Sequence, residues 1–161
     1  MFDPLIHAPI AIQIHVAVVI PAALLGVALL LGRKGTNRHR FWGRIWIILM
    51  VVAAVASFWI QTIRMIGPFS PIHLLSALTL VLCVRIPMLA RAGRITAHRR
   101  SVTQLFWFAL VGAGAFTFLP GRIMHHVAFS AGQSWALVFL GLLAAGLVWL
   151  AIHTRAAREF R

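Results

Sequence analysis

Long apolar runs alternate with short polar or basic stretches along the whole chain. A helix that crosses the hydrocarbon core of a bilayer needs about 20 predominantly apolar residues. Five runs approach that length, at residues 9–31, 45–66, 72–89, 102–119 and 135–152. Pro9 opens the first, at a helix start where a missing N–H does no harm. Gly67-Pro68 and Pro71 close the second, Arg85 and Pro87 blur the end of the third, and Pro120-Gly121 stops the fourth. The pattern predicts an all-α integral membrane protein, one membrane domain of five transmembrane helices.

The segment GRKGTNRHRFWGR (32–44) reads as a basic turn between the first two helices, and residues 91–100 as its counterpart between the third and fourth. The two halves echo one another. Ile14-His15 is followed after 24 residues by His39-Arg40, and Ile72-His73 after 25 residues by His98-Arg99. This spacing suggests a four-helix core of two parallel pseudo-repeats, about residues 9–66 and 71–120, with a fifth helix at about 134–153. Gly112, Gly114, Ala115, Gly141, Ala144, Ala145 and Gly146 supply small residues for close helix packing.

Composition agrees with the pattern. Hydrophobic residues make up 61% of the 161, against about 45–50% in an ordinary soluble domain. Fifteen Lys and Arg face only Asp3 and Glu159, a net charge of +13. In a soluble chain that balance would point to nucleic acid. Here the cations sit between apolar runs, which is the signature of cytoplasmic loops and not of a nucleic-acid partner. Thirteen fall on the side of the two basic stretches and the C-terminal tail, whereas Arg64 and Arg122 fall on the other. The expected topology is therefore N-terminus outside and C-terminus cytoplasmic, in a multi-pass protein of the bacterial inner membrane. Trp42, Trp46 and Trp149 suit the inner aromatic belt and Trp135 the outer. The start, MFDPLIHAP, has no basic residue before the apolar run, so the first helix is expected to be retained and not cleaved as a signal. A single cysteine, Cys83, excludes a disulfide framework or a cysteine-rich metal site.

Histidine is the residue type that carries candidate chemistry. A neutral imidazole binds iron through one ring nitrogen while the other donates a hydrogen bond, and a haem in a helix bundle takes one ligand from each of two facing helices. His15 with His73 forms a candidate outer pair and His39 with His98 a candidate inner pair, for one or two b-type haems. Arg64 and Arg122 are cations placed to pair with haem propionates on the outer side. The competing reading is that the histidines are solvated at the bilayer interfaces. His7, His125 and His126 offer a second, weaker metal site for zinc or copper, and His153 reads as interfacial. No carboxylate lies within any span, so the acidic relay of a proton-coupled transporter is missing. No phosphate-binding glycine loop, nucleophile–base pair or paired carboxylates occur, which argues against hydrolytic chemistry.

The stretches HRFWGRIW (39–46), SPIHLLS (70–76) and FTFLPGR (116–122) resemble those of a family of small bacterial membrane proteins known only as a domain of unknown function. The resemblance covers roughly the first four helices, implies a multi-helix inner-membrane protein, and puts weight on His39, Arg40, Gly43, Arg44, His73, Pro120, Gly121 and Arg122. It implies no activity. The four histidines on alternating helices are also similar, in architecture only, to dihaem b-type membrane cytochromes.

The leading expectation is thus a b-type haem protein that transfers electrons across the membrane, with quinone as a candidate carrier: an electron-transfer cytochrome and not a hydrolase. The alternative is a non-catalytic accessory or assembly subunit of a larger inner-membrane complex, and the partners expected besides the lipid bilayer are such a complex or a second copy in a homodimer. A small transporter or metal-handling protein comes third.

Overall fold

The computed structural model describes residues 3–60, 71–118 and 125, and among these every regular element is helical. A single turn, α1 (Asp3–Ile6), leads into α2 (Ile10–Leu31), followed by α3 (Asn37–Ser57), α4 (Pro71–Arg91) and α5 (Ile95–Leu105). A π-helical segment, Phe106–Gly112, and α6 (Ala113–Thr117) continue α5. The junction residues Phe106 and Ala113 keep right-handed helical dihedrals, so these three pieces form one rod. Among the described residues three helices are long and apolar enough to cross a membrane: Ile10–Leu31, Asn37–Ser57 and Ile72–Arg91. The expected fifth helix lies outside the described residues.

The helices form a ring. α2 packs on α3, α3 on α4 and α4 on α5, while the π segment closes back against α2. Short turns make α2–α3 and α4–α5 antiparallel hairpins, and Ser57, at the end of α3, meets Ser76, near the start of α4. Both basic stretches therefore lie at one end of the bundle.

Those stretches are more helical than the sequence suggests. Only residues 32–36 connect α2 to α3, because the Thr36 hydroxyl accepts from the His39 backbone N–H at 3.1 Å and caps a helix that starts at Asn37. The helix accordingly takes in His39, Arg40 and Arg44, which were expected in or beside the turn. Arginine is a good helix former, and at a span's end its charge stays in water, so nothing opposes the early start. At the other turn Gly93 adopts φ +69°, and the Arg94 N–H reaches the Leu89 carbonyl at 2.9 Å. This is a Schellman closure that takes glycine at its left-handed position. It carries α4 to Arg91 and lets α5 begin at Ile95, so His98 too is helical.

The interior is packed around Ala22, Trp46, Met50, Cys83, Ile86, Leu105, Phe106 and Leu110. Trp46, expected in the interfacial belt, is 3% exposed, and its indole N–H donates to the Ala22 carbonyl at 2.9 Å. A buried indole needs such a partner, and the backbone of α2 comes close enough to supply it because Gly26 has no side chain. A Cβ there would lie 2.8 Å from Trp46 Nε1 and 2.9 Å from the Phe106 ring. Trp42, by contrast, is exposed.

Gly26→Ala must push two aromatic side chains apart, and overpacking of this kind costs about 1–3 kcal/mol. Circular dichroism melts in detergent should show a lower midpoint for this variant. Gly43→Ala meets nothing within 4 Å and should melt no lower than the parent. Equal midpoints for all three proteins would refute the close approach at Gly26.

Candidate functional site

Seven residues are two helical turns, so residues seven apart share a face. His15, His39 and His98 stand seven residues before Ala22, Trp46 and Leu105, which are 0%, 3% and 1% exposed. Each histidine thus continues the interior stripe of its own helix. His73 is itself buried, on the α4 stripe that runs through Ser76, Thr79, Cys83, Ile86 and Leu89. His15 and His73 lie at the end of the bundle opposite the basic turns, on α2 and α4, which do not neighbour each other in the ring. His39 and His98 lie at the basic end, on α3 and α5, the other opposed pair. The packed core separates the two ends.

Three of the four rings donate to a backbone carbonyl of an adjoining helix or its end. His15 Nδ1 lies 2.8 Å from the Ala53 oxygen on α3, and His98 Nδ1 lies 3.0 Å from the Ile86 oxygen on α4. His73 Nε2 lies 3.3 Å from the Phe58 oxygen just past α3, with the Phe58 ring 5.7 Å from the imidazole between centroids. A carbonyl only accepts, so the bonded nitrogen carries the hydrogen. In His15 and His98 this leaves Nε2 as the nitrogen with a lone pair, the arrangement in which a histidine ligates a metal while its second nitrogen is anchored. His73 must give up its Phe58 contact to ligate through Nε2.

Ala53 and Phe58 are five residues apart on the chain, so the acceptors of His15 and His73 differ in level by about 7–8 Å. At the basic end, His39 and His98 stand in the first turns of α3 and α5, and Lys34 in the connection before α3. Lys34 donates to the Leu30 carbonyl at the end of α2, at 2.6 Å. Partial desolvation, and then the positive charge of Arg99, hold its ammonium below the ordinary lysine range.

Around His15 and His73, α3 offers only small buried residues, Ala53, Ala54, Ala56 and Ser57. The α5 rod ends at the same height in Gly112, Ala113, Gly114 and Ala115, and a Cβ on Gly114 would meet nothing within 4 Å. The Ser57 and Ser76 hydroxyls lie 2.5 Å apart, and they also reach the Ala54 and Ile72 carbonyls at 2.6 and 2.9 Å. Two hydroxyl hydrogens cannot fill three contacts, so whichever serine donates to the other gives up its own carbonyl. Ser57, Ser76 and Thr79 make a buried polar layer beside His73 that the sequence reading missed. Its signal was present: Ser76 and Thr79 follow His73 at steps of three inside an apolar run.

Arg64, Arg122, His126 and His153 lie outside the described residues. Of the second metal site, His7 follows α1 and His125 is helical. Among the described residues no three His, Cys, Asp or Glu side chains gather to hold a metal ion.

A family model described as predicted membrane protein (DUF2306) matches residues 12–143, a range that runs from the first turn of α2 to beyond α6. No curated protein and no solved structure matches the chain.

The carbonyl bonds make a spectroscopic prediction. In detergent, above the imidazole titration range, ¹⁵N spectra should show His15 and His98 protonated at Nδ1, with each signal assigned by its loss in His15→Ala or His98→Ala. A bare Nδ1 on either ring would contradict the geometry.

Proposed function

The chain belongs to the DUF2306 family of predicted membrane proteins, and from that membership and the histidine geometry we propose that it is a b-type haem protein that transfers electrons across the membrane. The observation that carries this reading is the placement of four histidines on the interior stripes of four helices. They stand toward two ends of the bundle, each end drawing on opposed helices, with a packed core between. Haem bound at these ends would supply one-electron redox chemistry. His15 with His73 would hold it at one end, and His39 with His98 at the other.

The residues fit that role in three ways. The Ala53 and Ile86 carbonyls orient His15 and His98 and make their Nε2 nitrogens more basic, which strengthens ligation. The buried α3 side chains around His15 and His73 are small, Ala53, Ala54, Ala56 and Ser57, and put no bulk beside the two rings. Trp46, Met50, Cys83, Leu105 and Phe106 exclude water between the ends. Arg64 and Arg122 are the proposed propionate partners, and quinone the proposed mobile carrier. The proposed setting is the bacterial inner membrane, with five spans, the N-terminus outside and the basic turns in the cytoplasm.

A second reading, a non-catalytic subunit of a larger membrane complex, is favoured by one observation. His15, His73 and His98 already tie helices together through backbone carbonyls, a task that needs no cofactor.

The two readings separate on one preparation. Protein purified in mild detergent from cells supplied with a haem precursor should give sharp reduced-minus-oxidised b-type bands and up to two haems per chain. His15→Ala and His98→Ala should each remove one haem, while His7→Ala keeps both. A colourless protein that co-purifies with a large complex would replace the first reading by the second.

A further inference from the structure

Arg85 stands six residues, about 9 Å of helix rise, before α4 ends at Arg91. It is inside a span, yet it is exposed and lies off the interior stripe. With the start of α5 it lines two adjoining hollows of about 370 and 530 Å³. Arg94 and Leu89 line the first, Arg100, Gln104 and Leu82 the second, and Thr96 and Ala97 border both. Arg85 is common to both hollows, so three arginines and an apolar wall border one continuous cleft.

Among the described residues no carboxylate is at hand to neutralise them. The chain has two acidic side chains against fifteen Lys and Arg, and Asp3 opens α1, at the far end of the bundle. An arginine within a span is costly unless it pairs with an anion or reaches the interface. Guanidinium also matches phosphate in a planar, two-point fashion that lysine lacks. The first turn of α5 adds to the field, because its N-cap, Arg94, has no acceptor to offer the N–H groups there.

We propose that this cleft binds the phosphate of an anionic phospholipid, with the acyl chains along Leu82 and Leu89. A free anion would make no use of that apolar wall. The depth is right for a headgroup, since both basic turns lie at this end, and basic pockets between spanning helices are suited to such lipids.

Native mass spectrometry of the full chain, mixed in detergent with phosphatidylglycerol, phosphatidylcholine or inorganic phosphate, tests the site. Phosphatidylglycerol should be retained at least about tenfold more than phosphatidylcholine, and Arg85→Gln with Arg100→Gln should weaken retention by about tenfold or more. Arg85→Lys with Arg100→Lys should keep more than the glutamine pair. Arg38→Gln with Arg40→Gln, on α3 and outside the cleft, should bind like the parent. If the glutamine pair does not fold by circular dichroism, Arg94→Gln replaces it and should also lower retention. Equal retention of both lipids, unchanged retention in the cleft variants, or displacement of the lipid by equimolar inorganic phosphate would overturn the proposal.

Discussion

The hydrogen bond from the Trp46 indole to the Ala22 carbonyl is the contact on which the rest of the bundle depends. In lipid there is no hydrophobic gain from bringing two apolar helices together, so association rests on close packing and satisfied polar groups. The bond supplies both. It requires the α2 backbone to approach within reach of an indole on α3, which the missing side chain of Gly26 allows. Phe106 fills the other side of the same gap, so one glycine sets the meeting of α2, α3 and the π segment. That contact fixes the rotation of α2, α3 and the π segment about their axes. Rotation in turn decides where residues two turns away point, and those residues are His15 on α2 and His39 on α3.

The histidines then serve the bundle before they serve any cofactor. Each carbonyl bond locks a helix pair and fixes which ring nitrogen bears the hydrogen. A side chain held in this way is already oriented for ligation, since the nitrogen left over has a lone pair in a set direction. Structural and redox readings of His15 and His98 are therefore compatible at the level of geometry. They differ only in whether something occupies the second nitrogen.

Polarity is distributed unequally along the bundle axis. The end away from the basic turns has an interior of hydroxyls and imidazoles, with Ser57, His73, Ser76 and Thr79 buried. The other end has His98 and the buried Ser101 on its interior stripe and a cationic rim, where Arg85, Arg94 and Arg100 border an open cleft and Lys34 feels the charge of Arg99. Among the described residues no carboxylate faces this rim, and the proposed match comes from outside the protein. Lipid phosphate is the abundant anion at that depth.

The sequence alone determined the membrane class, the first apolar segments and the clustering of basic residues, because each depends on local hydropathy and charge along one strand of chain. It also singled out His15, His39, His73 and His98 by their echo. It misjudged where α3 and α5 begin, since arginine and histidine read as turn residues by polarity although they are compatible with helix once Thr36 or the Gly93 closure sets the boundary. It put Trp46 at the interface, because an indole next to a basic stretch has the same local signature whether it faces lipid or a neighbouring backbone. Only the tertiary structure decided these matters: the rotation of each helix, the carbonyls that His15, His73 and His98 find, and the cleft that Arg85 lines with Arg94 and Arg100. All of them depend on contacts between helices, and a close approach at one glycine, far along the chain from its partners, leaves no mark in the hydropathy pattern.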